Sequence, residues 1–292
     1  MDNPPTSTTN ISAEASPAIE ERKAVGRNLE EVAKTLRCHI ITMTARAGSG
    51  HPGGSLSAVE VVAALFFRVL HHRPSEPQWA ERDRFILSKG HAAPLLYATL
   101  AESGYFPIEE LSTLRKLGSR LQGHTDRTAT PGVEMSSGSL GQGLSFGIGT
   151  ALAARLNSQS YRVYVLLGDG ECDEGQVWEA AMAAAHFKVD NLVAIVDHNK
   201  QQIDGWNWEV MNLEPLPEKW RSFGWHVIEV DGHDFDQILA AFEQAKLVKG
   251  QPTMIIAHTI KGKGVGFMEN NPEFHGRATT PEETKRALEE LA

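Results

Sequence analysis

The sequence predicts an α/β domain, a parallel sheet with helices on both faces. Two observations carry that expectation. Apolar runs of strand length, Arg162–Leu167 (RVYVLL), Leu192–Asp197 (LVAIVD), Val227–Val230 and Thr253–Ala257, are separated by helix-length segments, which implies right-handed βαβ crossovers and a sheet covered on both faces. After the N-terminal stretch no repeat, low-complexity linker or charge run divides the chain, so a single domain over residues 19–292 accounts for it.

The elements follow in order. Residues 1–18 are rich in Pro, Ser, Thr and Asn and are predicted to be a disordered tail. The sequon Asn10-Ile11-Ser12 reads as a chance match, because neither a basic n-region nor an apolar h-region marks a secretory signal there. From Ile19 to Arg46 the residues Val25, Leu29, Val32, Leu36, Ile40 and Met43 recur at spacings of three and four, the period of an amphipathic helix. Ser57-Ala-Val-Glu60 has the form of a capping box before an apolar run, so a second helix is expected to start there. Phe85–Ser88 reads as a short buried strand and Gly143–Leu156 as an alanine-rich helix with small residues for close packing. Helices are further expected over Glu174–Phe187 and Phe235–Val248.

Composition excludes several function classes. Lys and Arg number 28 against 37 Asp and Glu, a formal net charge of −9. An acidic chain without clustered basic residues is a poor match to nucleic acid, whose phosphates need them. The longest apolar run considered, Val61–Phe67, is far short of the ~18 residues of a membrane span. Two cysteines, Cys38 and Cys172, exclude a disulfide framework and a cysteine zinc cage and suit the cytoplasm.

Ligands of open parallel sheets bind beyond the carboxyl ends of the strands. After RVYVLL comes Gly168-Asp169-Gly170-Glu171-Cys172-Asp173-Glu174, a tight turn opening a helix whose free N–H groups favour an anion. The acidic cluster conflicts with an anion unless a divalent cation intervenes. Mg²⁺ takes one or two carboxylates with phosphate and water oxygens. The next strand ends in Asp197-His198-Asn199-Lys200-Gln201. One helix and one strand separate Asp169 from Asn199, so both reach one metal; the plainer reading, turn and N-cap residues, suits an isolated GDG better than this pairing. Several of the twelve histidines sit beside glycine in loops, as in Gly50-His51, Gly90-His91, Gly123-His124 and His275-Gly276, where an imidazole reaches a ligand freely and exchanges protons near neutral pH. His39, His71, His72 and His186 read as structural, and His226, His233 and His258 are unassigned. Gly48-Ser-Gly50-His-Pro-Gly53 is a literal GxGxxG but follows a helix instead of a strand, so the nicotinamide reading fails. Lys261-Gly-Lys-Gly-Val-Gly266 follows a strand and could cradle a phosphate but lacks the Walker order; it reads as a mobile loop that orders near the cofactor and carries the chain toward His275. Trp206 and Trp208 read as core or interface packing sooner than as a cover for the site.

GDG followed some thirty residues later by Asn-Lys resembles the thiamine-diphosphate signature. The ordered motifs SGHPG (Ser49–Gly53), RDRFILSKGHA (Arg82–Ala92), GH (Gly123-His124), PGVE (Pro131–Glu134), GSLGQG (Gly138–Gly143) and FHG (Phe274–Gly276) resemble the N-terminal part of transketolase. The resemblance spans about residues 20–280. It implies the thiamine-diphosphate-binding fold in its diphosphate-binding form. Asp169, the side chain of Asn199 and the main-chain carbonyl of Gln201 would hold Mg²⁺ or Ca²⁺. Gly170 would donate to the diphosphate with His91 and His275 nearby and Gly168 and Glu171 in the same turn. Gly138 and Leu140 would lie against the aminopyrimidine, and Ile203 would support the bent cofactor. His51, His124 and His275 would face the substrate, and Glu174, counted with the catalytic set, would join Glu179 in a carboxylate network between paired active sites.

The family also needs a glutamate against the aminopyrimidine and arginines for the sugar phosphate, carried on a second domain. The chain ends soon after His275, so the resemblance implies one subunit of a split transketolase, paired with a C-terminal subunit carrying the pyrimidine-binding domain in an α2β2 assembly. That assembly would act on sugars or sugar phosphates, as in the pentose phosphate pathway. Ala180–Ala185 and Gly138–Ala154 are candidate interface surfaces, with core packing as the plainer reading. Lys89 stands where long-chain members usually have Asn, and Ser139 where they have Pro. An α-type subunit of a 2-oxoacid dehydrogenase and a non-catalytic cofactor-binding module are the alternatives.

Overall fold

The computed structural model describes residues 27–292. The predicted tail, its Asn10 sequon and residues 19–26 of the first expected helix lie outside that span. Five strands, β1 (Arg84–Leu87), β2 (Val163–Gly168), β3 (Leu192–His198), β4 (His226–Asp231) and β5 (Thr253–His258), form one sheet in the order β1-β2-β3-β5-β4. Every pairing is parallel, and the predicted strands are met to within two residues at each end.

Strand side chains alternate between two cores, as period-two geometry requires. Val163, Val165 and Leu167 of β2 and Leu192, Ala194 and Val196 of β3 enter one core with helices α5 (Gln142–Leu156), α6 (Gly175–His186) and α8 (Leu216–Ser222). Tyr164 and Leu166, with Val193 and Ile195, enter the other. There they meet α1 (Leu29–Ala47), α3 (Val59–Ala64), α4 (Ala93–Glu102) and α9 (Phe235–Leu247). The small residues of α5 act as expected. A Cβ on Gly143 would lie 2.8 Å from Ser88 Cα, and one on Gly147 2.6 Å from a Val165 methyl, so both glycines let the helix settle on β1 and β2. The sequence reading did not single out α4. It is buried over nearly its whole circumference and so lacks an amphipathic period.

The expected capping box does not form. Ser57 closes a short helix, α2 (Pro52–Ser57), and the N-cap of α3 is Ala58, without a side-chain cap. Ser57 Oγ donates instead to Gly54 O and to Asp197. Glu60 accepts from Arg37 at 2.6 Å and from His233 at 3.1 Å. Buried charged partners outcompete a local cap, because a hydrogen bond to an ionised group is stronger.

Candidate active site

The carboxyl ends of β1, β2, β3 and β5 open onto a cavity of about 300 Å³. It is lined from β1 by Lys89 and His91, from β2 by Gly168, Asp169, Gly170 and Glu171, and from β3 by Asn199, Gln201, Gln202 and Ile203. Lys261 reaches it after β5, and the segments before α2 and α5 bring His51, Gly138 and Leu140, with His124 and His275 completing the wall. Thirteen predicted site residues thus meet around one space, although they are scattered along the chain from His51 to His275.

The two loop tips converge as their spacing predicted. Asp169 accepts from the main-chain N–H of Lys200, next to Asn199, and its own N–H donates to Asp197 O at 3.3 Å. Burial, and then the Asp197 charge, push the Asp169 carboxyl up to about 7, against the pull of the Gly170 and Lys200 N–H groups. A buried carboxylate so poorly compensated fits a cation beside it. Asn199 and the main-chain oxygen of Gln201 complete a set of hard oxygen donors suited to Mg²⁺ or Ca²⁺. Among the described residues no group of three or more His, Cys, Asp or Glu is placed to hold a metal, so a cation here depends on the amide and carbonyl oxygens.

Several details differ from expectation. The Gly170 N–H bonds Asp169 Oδ1 at 2.7 Å, so Asp169 does cap the short 3₁₀ turn Gly170–Asp173. That turn separates the strand end from α6, whose N-terminus lies away from the cavity. Glu174, the N-cap of α6, and Glu179 on α6 are exposed and do not line the cavity, as a network running between paired sites would not require them to. Glu171 is committed as a brace: it accepts from Ser88 Oγ, from Gly141 N–H at 2.9 Å and from Gly168 N–H at 3.0 Å, and burial raises its carboxyl. Ala180, Ala181 and Ala184 belong to the core, which answers the plainer reading of that helix, while Phe146 and Met182 are exposed. Trp206 and Trp208 stack at 4.6 Å outside the cavity lining, whereas Ile203 lines it and is 65% exposed.

The four motif histidines form a ring cluster. His51 lies 5.5 Å from His91, 5.8 Å from His124 and 5.6 Å from His275, centroid to centroid, and His91 lies 5.2 Å from His275. Burial is the largest cause in every case, and it drives His51 down to about 4 and His275 to about 3. His91 and His124 are lowered as well, by burial and then by Lys89 and Arg115 respectively. All four are therefore neutral imidazoles near pH 7, able to accept a proton. His51 Nδ1 is buried without a hydrogen-bond partner, a vacancy a ligand donor would fill. Of the histidines read as structural, His39 pairs with Glu102 and His72 with Tyr105 and Phe66 O. His226, His233 and His258 do not line the cavity.

Three residues escaped the sequence reading. Lys261, assigned to a mobile loop, is 1% exposed. Its Nζ lies 2.9 Å from His275 Nδ1 and 3.2 Å from Gln202 O, while Gly262 N–H bonds Gly53 O. Burial lowers it to about 8, and Asp169 opposes that. Its position just after a strand end was the available signal. Asp197 lies beneath the cavity; burial alone would raise its carboxyl, but Lys89, Ser57 and Thr259 hold it below the ordinary value. Arg115 donates to Ser49 Oγ at 2.8 Å and sets its positive charge near His51 and His124.

A family model described as transketolase, thiamine diphosphate binding domain, matches residues 29–292. Over 264 residues the chain is 49% identical to the 6-deoxy-6-sulfo-D-fructose transketolase subunit SqwG of Clostridium sp. (strain MSTE9), covering 90% of this chain and 96% of that one. It is 41% identical to an apulose-4-phosphate transketolase subunit of Phocaeicola vulgatus, covering 90% and 94%. The structure is similar to that of a Pichia stipitis transketolase mutant, R525L, with a TM-score of 0.87 at 35% identity. That match covers 91% of this chain and 41% of the other, so the chain spans about two fifths of the single-chain enzyme.

Proposed function

This chain belongs to the transketolase family as an N-terminal, thiamine-diphosphate-binding subunit, and we propose that, joined to a second polypeptide, it transfers a two-carbon ketol unit from a ketose donor to an aldose acceptor. The observation that carries this reading is the meeting of Asp169, Asn199 and Gln201 with four neutral imidazoles around one cavity. The 2-oxoacid dehydrogenase alternative is not favoured, because full-length relatives at 41–49% identity are transketolase subunits.

The residues present suit both groups the family implies. Asp169, the Asn199 amide oxygen and the Gln201 carbonyl would hold Mg²⁺ or Ca²⁺, and the Lys261 ammonium and His91 would complement the diphosphate. When bound, thiamine diphosphate supplies an electron sink for cleavage of a bond next to a carbonyl. The protein's part is position and proton transfer. Neutral His51 and His275 would both lie at the donor's C3 hydroxyl, one of them taking its proton and the other hydrogen-bonding its oxygen, and His124 would hydrogen-bond the sugar. Arg115, beside His51 and His124, adds a cation at the substrate end. The names of the relatives, a sulfo-fructose and an apulose phosphate transketolase, together with that cation, support sugars bearing a terminal anion.

The carboxylates lining the cavity are Asp169, Glu171 and Asp204. The first would be the cation ligand and the second is saturated internally, which leaves, among the described residues lining the cavity, no free buried glutamate for the aminopyrimidine. That group would come from a partner subunit with a pyrimidine-binding domain, in an α2β2 assembly in the cytoplasm. Among the described residues no helix is long and apolar enough to cross a membrane. The test is co-expression with such a partner and assay of ketol transfer, with the lone chain as control. Activity only in the pair is expected; full activity of the lone chain overturns the shared-site reading.

A further inference from the structure

Beneath the two loop tips lies one buried carboxylate that touches no part of the cavity. Asp197, near the end of β3, is 1% exposed. It accepts from side chains on four separate segments: Lys89 Nζ after β1, Ser57 Oγ at the end of α2, Thr259 Oγ1 after β5, and Asn199 Nδ2 at 3.1 Å. Lys89 is also fully buried and gives a second hydrogen bond to Gly54 O at 2.8 Å.

The consequence falls on Asn199. A side-chain amide has two orientations of nearly equal shape, and only one presents oxygen to a cation. Here Nδ2 faces Asp197 and, at 3.5 Å, Ser57 Oγ. The oxygen is turned the other way and accepts from Gln201 N–H at 3.1 Å. Reversing the amide would set its oxygen against the Asp197 carboxylate, two acceptors without a proton between them, in a buried site where such a contact is most costly. Lys89 supplies the charge that lets a carboxylate sit there at all, since an unpaired buried ion is strongly destabilising.

We propose that the buried Lys89–Asp197 pair is a positioning device for the cation site, in which Asp197 locks the Asn199 amide with its oxygen toward the metal and Lys89 balances the charge of the lock. This rests on the reading of Asp169 and Asn199 as cation ligands. Lys89, which stands where long-chain members usually have Asn, also lines the cavity wall. Outer-shell partners that orient ligands in this way typically change metal affinity about 10–100-fold when removed.

The test compares charge-balanced double variants of the full chain, each assembled with the partner subunit, because removing one member of the pair alone strands the other charge. Lys89→Met with Asp197→Leu removes the acceptor; Lys89→Met with Asp197→Asn removes the charges but keeps an acceptor oxygen. Each is titrated with Mg²⁺ in the presence of thiamine diphosphate by calorimetry, and its unfolding is measured separately in chelator. The expected result is metal binding about 10–100-fold weaker in the Leu double variant, a smaller loss in the Asn double variant, and similar unfolding of the two in chelator. Equal metal affinities in the two variants, or a loss that follows the chelator-state stability, overturn the proposal. Asp169→Asn serves as the reference. If it leaves binding intact, or if the parent chain binds no metal, the cation reading itself fails. If it abolishes binding while the Leu double variant binds normally, only the positioning role fails.

Discussion

Replacing Asp169 by asparagine separates what this residue costs the fold from what it does for the site. Without a cation, burial and the Asp197 charge raise the carboxyl from 3.8 to about 7. At about 1.4 kcal/mol per tenfold change in proton affinity, the ionised group burdens the native state by about 4 kcal/mol. The sign follows from proton counts. Between about pH 4 and pH 7 the folded chain holds a proton that the unfolded chain has released, so the stability present below that window is lost as pH rises through it. Asparagine removes the burden but turns an NH₂ toward one of the two N–H donors, Gly170 or Lys200, that the carboxylate satisfied. That mismatch costs about 1–3 kcal/mol. In chelator near pH 8, Asp169→Asn is therefore expected to be more stable than the parent by about 1–3 kcal/mol, and near pH 4 less stable by a similar amount. Urea unfolding at the two pH values reads the crossover, and calorimetry with Mg²⁺ and thiamine diphosphate reads the loss of binding. A variant less stable than its parent at both pH values would show that the carboxylate serves only to cap its turn. Unchanged Mg²⁺-dependent binding would remove the cation from this position.

Three further outcomes are expected. Glu171→Gln offers an NH₂ to one of three donors now satisfied by the carboxylate; it should lower stability by about 1–3 kcal/mol, and an unchanged melting temperature would refute the brace. His51 and His275 are held below the ordinary 6.5, so the stability they favour is present above about pH 6.5 and is lost as pH falls through about pH 4. Histidine NMR titration of the lone chain should find both rings still neutral near pH 5.5, and ordinary titration midpoints would contradict their burial. Phe146→Asp with Met182→Asp alters exposed apolar residues of α5 and α6; it should leave lone-chain stability within about 0.5 kcal/mol but abolish co-purification with the partner, and intact pairing would exclude that face.

How much was legible in the sequence differs from element to element. The strands were legible because a parallel sheet buried on both faces needs near-continuous apolar runs, and RVYVLL and LVAIVD supply them. The loop tips at Asp169 and Asn199 were legible because chemistry in such sheets gathers at strand ends. The capping box expected at Ser57 does not form because the pattern is local and its competitors are not: Asp197 lies 140 residues from Ser57, and His233 lies 173 residues from Glu60. The loop of Lys261 was legible only in part. Its place near the site follows from the strand end before it, but the burial of the lysine rests on the packing of Gly262 against Gly53 and of Nζ against His275.

The order of apolar runs and glycine turns by itself determined the fold class and the two loop tips at Asp169 and Asn199, because periodicity and turn chemistry act over a few residues; the rest of the set that meets was implied by the resemblance of the ordered motifs to transketolase. Which of those residues are free to meet a ligand was decided only in three dimensions. Glu171 is consumed by three internal donors, Glu174 and Glu179 face solvent, and Asp197 turns the Asn199 amide. Burial and hydrogen-bond saturation depend on partners brought together from distant parts of the chain, and no local pattern records them.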